Sequence, residues 1–296
     1  MAVGDTITAA RYNNIQARIA TVLGIGSGTD GYGQTLNSST VSVGATVTAQ
    51  DMQNLYDDMV AARVHQNGTI PTSIASISIA DVIAEDVSTD PNGAAKGYAD
   101  FESLMPNIET DKFLVDVTQA SLESAISSTR VSAWNGTLTH EFSITFNSAD
   151  DRRHFFNAGG EIRLTASLTS PSGSKSTDWA TMLSNMGIVK LGYTNTISTG
   201  SGTGSAIGNY DLTGSYQNIF NKTGSGLYTE NDYNVQAREV SPSVIQIRVL
   251  FQDDDTGDPG TDENVSGTLT STIQQYRATG IYVEVDTPSY SNDTTL

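Results

Sequence analysis

The chain has 296 residues, enough for one large domain or two modest ones, with no cysteine and a formal charge of −18 from 15 Lys plus Arg against 33 Asp plus Glu. The missing thiols exclude disulfides, iron–sulfur clusters, thiolate zinc sites and cysteine catalysis. The acidic balance disfavours a nucleic-acid partner, since a phosphate backbone is bound by clustered cations, and the nearest approach to a cluster, Asp150-Asp151-Arg152-Arg153-His154, is balanced by its own acids. Charged residues make up only 16%, against about 25% in ordinary domains; Ser, Thr, Asn and Gly fill the gap. Such a surface suits long strands with exposed hydroxyls and subunits that pack without charge repulsion. The start, Met1-Ala2-Val3-Gly4-Asp5, lacks the basic and apolar parts of a signal peptide. No apolar run approaches the ~20 residues of a membrane helix, so a soluble chain with no membrane insertion is expected.

The first feature along the chain is a repeat. Val3-Gly4-Asp5-Thr6-Ile7-Thr8-Ala9 realigns on Val43-Gly44-Ala45-Thr46-Val47-Thr48-Ala49, and the match continues through Asn14/Asn54 to Ile15/Leu55. Each copy predicts a short extended lead, a threonine N-cap at Thr8 or Thr48, and a helix; Thr48 with Asp51 has capping-box spacing. Tyr12, Ile15, Ile19, Val22 and Leu23 form one apolar stripe, and Met52, Leu55, Met59 and Val60 a second. The stripes suit a shared core, and equally an oligomerisation face. Gly24 and Gly26 are positioned to end the first helix, and residues 27–39 form a Gly/Ser/Thr loop.

Ile74, Ile77 and Ile79 form a short apolar run, and residues 86–93 a break containing Pro91. A third helical region is predicted from 94 to about 125, with Pro106 kinking or splitting it. Beyond 125 the apolar period changes from 3.6 to 2. Leu138 to Phe146, Ile162 to Leu168, Ile245 to Phe251 and Ile281 to Val285 each alternate with polar residues, the pattern of antiparallel strands with one buried face. A short helix is expected over 178–186. The predicted fold class is α+β: a helical anchor or oligomerisation region over 1–125, then a mainly antiparallel β-sandwich with an inserted helix over 126–296.

Chemistry-bearing groups are sparse. His65, His140 and His154 have no metal-ligand neighbour three or four residues away. The Gly/Ser/Thr stretch 199–208 mimics a phosphate-binding turn but has no Lys and no βαβ context, and no convincing nucleophile elbow is present. The densest carboxylate cluster is Asp253-Asp254-Asp255-Thr256-Gly257-Asp258, with Asp262 and Glu263 behind it. Oxygen ligands at Asp253, Asp255 and Asp258 resemble the opening of a calcium loop, but residue 264 is Asn where an EF-hand has its bidentate Glu; a solvated hairpin loop is the simpler expectation. No catalytic residue and no cofactor are therefore expected, with Ca²⁺ as the one ion the acidic loop could hold. Tyr193, Tyr210, Tyr216 and Tyr228 could stack on sugars.

Three stretches resemble a known family: residues 3–15 with their echo and the Val64-His65-Gln66 ending; Trp134 to Phe146 leading into Arg152-Arg153-His154-Phe155-Phe156-Asn157-Ala158-Gly159-Gly160-Glu161-Ile162-Arg163; and the acidic loop with Gly267-Thr268 and Val285-Asp286-Thr287-Pro288. Together they resemble virion structural, tail-fibre-like proteins of tailed phages of marine bacteria and cyanobacteria. The resemblance implies a particle component, located in the virion, without saying which; a place in the tail, neck or fibre system is expected. The polar, low-charge surface and the duplicated helical lead suit subunit contact, so assembly with itself, as a trimer or ring, and with other virion proteins is expected. The resemblance carries over no catalytic residue. The alternative function is a receptor- or glycan-binding module facing the host surface. Read on its own, the Phe155-Phe156-Asn157-Ala158-Gly159-Gly160 segment anchors a sharp turn into the strand that follows, with Asp150 and Asp151 locking Arg152 and Arg153 by local ion pairs.

Overall fold

A computed structural model describes residues 8–81, 95–255 and 264–296. The fold is α+β: an N-terminal helical region followed by two mostly antiparallel sheets in a sandwich-like arrangement. By internal contacts the chain divides into two compact units. One takes the described residues up to Ser121 with Arg153–Gly159 and Arg277–Val285; the other takes Leu122–Arg152, Gly160–Tyr276 and Asp286–Leu296.

In the first unit, α1 (Ala9–Leu23) begins where Thr8 accepts from the Arg11 N–H, and α2 (Ala49–Asn67) where Thr48 and Asp51 close a reciprocal capping box. Both predicted stripes are buried in the chain's own core, with Tyr12, Ile15, Ile19, Met52, Leu55 and Met59 wholly inaccessible. The extended lead before Thr8 lies outside the described residues. The loop between the helices is ordered by the Asp58 carboxylate, which accepts the backbone N–H groups of Asn37 and Ser38, each at 2.9 Å. The third helix, α3, is Tyr98–Thr110, shorter than predicted, and it runs through Pro106 without a break. Two bidentate pairs join it to α1: Arg11 to Glu102 and Arg18 to Glu109, with contacts of 2.6–2.9 Å. Both arginines and both glutamates are seven residues apart, so the same geometry repeats every two helical turns.

The second unit carries most of the sheet residues. Strands β1 (Ala120–Leu122), β2 (Ile126–Arg130), β3 (Gly136–Thr145), β4 (Glu161–Thr169), β5 (Val189–Leu191), β6 (Thr196–Ser198), β7 (Gln217–Thr223), β8 (Asp232–Ser241), β9 (Val244–Asp253), β10 (Thr268–Ala278) and β11 (Ser289–Thr294) alternate with α4 (Ala149–Asn157) and α5 (Ser174–Met186). Of these, α4 and the ends of β1 and β10 are divided between the units. One sheet has the order β1-β10-β4-β5-β6, with β2 also on β10; the other is β11-β3-β9-β8-β7. The β8–β9 hairpin and the β3–β9 pair form the long centre of the five-stranded sheet. Its inner face buries Phe142, Ile144, Val235, Ile245, Ile247, Val249 and Phe251. His140 on β3 reaches Ser271 on β10 at 2.9 Å, a side-chain bond from one sheet to the other. Trp179 of α5 packs against Trp134 and Phe251, which makes the inserted helix part of the sandwich core.

Two strand expectations need correction. Ile281 to Val285 is not a strand but a turn with one bridge, Thr279 to Glu284; Ile281 is 89% exposed while Val283 and Val285 are buried. The long C-terminal strand is β10, whose inner face mixes Leu269 and Ile273 with Ser271 and Gln275, all four buried. Polar residues on the buried face dilute the alternation from which strands are read. The stretch before Gly159 is helix α4 rather than turn, with Ser148 and Asp151 bonding reciprocally at its start.

Candidate functional site

The acidic loop is the first place to look for an ion. Asp253 ends β9 and is buried, and Asp255 follows it; Asp258 lies outside the described residues. The two described carboxylates converge on a cation the chain supplies itself. Nζ of Lys175, from the first turn of α5, lies 3.2 Å from Asp253 and 3.3 Å from Asp255, and its side chain is inaccessible to solvent. Burial pulls against the ammonium, but hydrogen bonding and charge from Asp253 and then Asp255 outweigh it, and the lysine pKa is raised. A buried ammonium thus lies between two of the three carboxylates that the sequence offers as ion ligands. Among the described residues no group of three or more His, Asp or Glu is placed to hold a metal. Nothing in the sequence marks Lys175, which follows Pro171-Ser172-Gly173-Ser174 and reads as a surface turn residue.

The histidines hold structure. His140 is bonded on both ring nitrogens, to Ser271 and to Asn292, and burial lowers its pKa, against a small upward pull from Asn292. His65 is buried beside Tyr32, with ring centroids 4.8 Å apart; burial holds its pKa down to about 4, opposed weakly by the Ala158 backbone. His154 packs on Gly33, where a Cβ would fall 2.4 Å from Nδ1.

The two arginines expected to lock a local turn also reach residues far along the chain. Arg152 reaches Asn209 at 2.7 Å and Glu239 at 2.6 Å. Arg153 donates to the carbonyls of Ile25 and Asp30. Phe155 and Phe156 are fully buried and meet edge to face, Asn157 donates to the Gly31 carbonyl, and Gly159 has φ +77° with Val115 where a Cβ would point. This most specific stretch of the resemblance is therefore a packing device of the first unit.

The Gly/Ser/Thr stretch 199–208 is pinned by backbone pairing rather than loose. Ser205 bridges to Thr196 on β6, and Thr203 bridges to Asn221 on β7, so the stretch covers an edge of each sheet. An open groove of about 530 Å³ runs along it, lined by Asn195, Ile197, Gly202 and Ser205 among others, without an aromatic or charged side chain. The tyrosines read as sugar platforms are committed elsewhere. Tyr193 and Tyr210 pack edge to face at 4.7 Å; Tyr228 is buried and bonds Ser174.

Tyr216 belongs to the outer face of the five-stranded sheet. The guanidiniums of Arg238 on β8 and Arg248 on β9 both lie over its ring, at 4.5 and 4.0 Å from the centroid. Arg238 donates to Oε1 of Gln246, and Arg248 to Oε1 of Gln236. Burial, then the hydrogen bond and charge of Glu141, push the Tyr216 pKa up to about 12. Glu141 on β3 stands directly across from Arg248, and Asp293 on β11 accepts from Ser143 and Gln246.

No family model, curated protein or solved structure matches this chain.

Among the described residues this half-buried sheet face is a densely bonded feature, an amide-and-hydroxyl lattice with Arg238 and Arg248 on β8 and β9, Glu141 and Asp293 on β3 and β11, and Asp232 at the end of β8. Its signal was present in the sequence as Gln236/Arg238 and Gln246/Arg248, charged residues spaced by two on the polar side of alternating strands. No described helix is long and apolar enough to cross a membrane.

Proposed function

We propose that the chain is a non-enzymatic structural component of a tailed-phage virion, in the tail, neck or fibre system, which assembles with itself and with other virion proteins. One observation carries the reading: among the described residues, several of the side chains that could do chemistry are used to hold the fold. Lys175 is enclosed by Asp253 and Asp255, His140 bridges the sheets, Arg152 bonds Asn209 and Glu239, and Arg11 and Arg18 clamp α3. The acids left at the surface keep a sparsely charged molecule soluble, and the resemblance of its sequence motifs to virion structural proteins supplies the particle. The glycan-binding alternative is weakened by the burial of Tyr228 and by the two arginines that cover Tyr216.

Mass spectrometry of gradient-purified particles from the phage that encodes this chain tests the proposal. The expected result is co-purification at constant stoichiometry to the major tail and capsid proteins through two successive gradients. Abundance in the infected-cell lysate with loss from the particles would overturn it.

A further inference from the structure

We infer that the outer face of the five-stranded sheet is a two-fold contact surface whose occupant is the same face of a second copy of this chain. The inference rests on the reading of the chain as an assembly protein and names the surface it uses.

The charges of this face are distributed anomalously. In a chain of net charge −18, carboxylates are abundant, and Arg11, Arg18, Arg63, Arg152 and Arg163 each pair with one. Arg238 and Arg248 do not. The donors of both end on neutral glutamine oxygens, and the two guanidiniums are stacked on one tyrosine ring, so two like charges are held side by side with no carboxylate within ion-pair distance among the described residues. Placing two guanidiniums together is unfavourable unless an anion meets them, and the fork geometry of arginine suits a carboxylate.

The same face also carries carboxylates: Glu141 is the cross-strand neighbour of Arg248, Asp293 lies on the strand beyond it, and Asp232 stands at the far end of β8. In the strand order β11-β3-β9-β8-β7, the arginines sit on β9 and β8, while Glu141 and Asp293 sit on β3 and β11. Hydrogen bonds from Tyr216 to Gln246, from Gln246 to Asp293 and from Ser143 to Asp293 place these groups on one side of the sheet. A surface with this arrangement is self-complementary under a two-fold rotation: each arginine pair meets Glu141 and Asp293 of the other copy, the isologous arrangement of most dimers. The size is adequate. Three of the strands have ten residues and the flanking two have seven and six; at about 3.4 Å per residue and 4.8 Å between strands the face covers roughly 600–800 Å², near the ~800 Å² per partner of a stable interface. The half-buried Gln and Ser side chains already linked across the strands lose little freedom when covered.

The test is sedimentation velocity of the full chain with a charge exchange. Wild type should sediment as a dimer at tens of micromolar and dissociate as salt is raised from ~0.05 to ~0.5 M, because exposed pairs are screened. Arg238→Glu/Arg248→Glu turns both arginines acidic, and Glu141→Lys/Asp293→Lys turns the two carboxylates that would meet them basic, with Asp232 at the end of β8 left in place. Each variant alone should lose self-association by at least ~100-fold, the scale of close interfacial charge pairs, and mixing the two should restore a heterodimer. Mixing distinguishes a lost contact from a lost fold, since misfolded partners cannot rescue each other. A monomeric wild type, association undiminished in either variant, or failure of the mixture to associate would each overturn the inference. None of these results bears on whether the chain co-purifies with particles, so this surface can fail while the virion proposal stands.

Discussion

At the scale of single residues, the buried Lys175–Asp253–Asp255 group decides whether the acidic loop is a metal site or a structural one. An ammonium with no solvent exposure costs several kcal/mol to bury and is tolerable only while its carboxylates remain. Lys175→Met should therefore destabilise the protein by about 3–5 kcal/mol, because it strands buried Asp253, whereas EDTA should leave the melting temperature unchanged. A chelator-dependent melting curve would show that the loop holds an ion after all. The lysine's raised pKa has a pH consequence of definite sign: its stabilisation is complete below the ordinary lysine pKa and is lost as pH rises through the folded value. His65 acts at the other end of the scale. Its pKa is about 4 in the fold and about 6.5 in an unfolded chain, so the unfolded state takes up a proton first. Stability should fall by up to about 3 kcal/mol as pH drops from 6.5 to 4, and urea titrations of wild type and His65→Phe across that window should show the slope flattening in the variant. These residues were hardly legible beforehand. The acidic cluster stood out in the sequence, but its counter-ion is about 80 residues earlier in the chain, and a lone lysine in a Ser/Gly turn carries no mark of burial.

At the scale of elements, the helices were the most legible part because their determinants are local. Thr8, Thr48 and Asp51 cap where the spacing places them, and both stripes are buried. What periodicity could not supply was the partner of α1. The Arg11–Glu102 and Arg18–Glu109 pairs join residues 91 apart in sequence, and no local pattern links them. Their side chains are about a third exposed, so magnitudes separate their role from that of the stripe. A double-mutant cycle on Arg18→Ala and Glu109→Ala should return a coupling below about 1 kcal/mol. Ile15→Asp should cost more than about 4 kcal/mol, since it puts a charge in a dry core. If the cycle gives the larger number, ion pairing rather than burial holds α1. Among the strands, β3, β4 and β9 alternate cleanly and were readable. The strand β10 was not, because Ser271 and Gln275 face inward to bond His140 and the Pro288 carbonyl; Ile281 to Val285 misled because alternation there reflects a turn with two buried valines.

At the scale of the whole molecule, sequence placed a change of character near residue 125, and the unit that carries the helices also takes in Arg153–Gly159 and Arg277–Val285. Discontinuous membership of that kind is invisible to a reading that moves along the chain. Phe155-Phe156-Asn157 lies in one of these returning segments, which gives it a packing role. The sheet face with Arg238 and Arg248 opposite Glu141 and Asp293 gives the molecule a place to meet its own copy. A two-fold contact closes at two subunits, so a trimer or ring would draw on a second surface. The central claim, that this chain is a built-in part of a particle, is tested most directly by immunogold electron microscopy of intact phage with antibodies raised against the full chain. The account predicts gold at one fixed place on the tail, neck or fibres of most particles. Gold confined to cell debris, with clean particles, would contradict it.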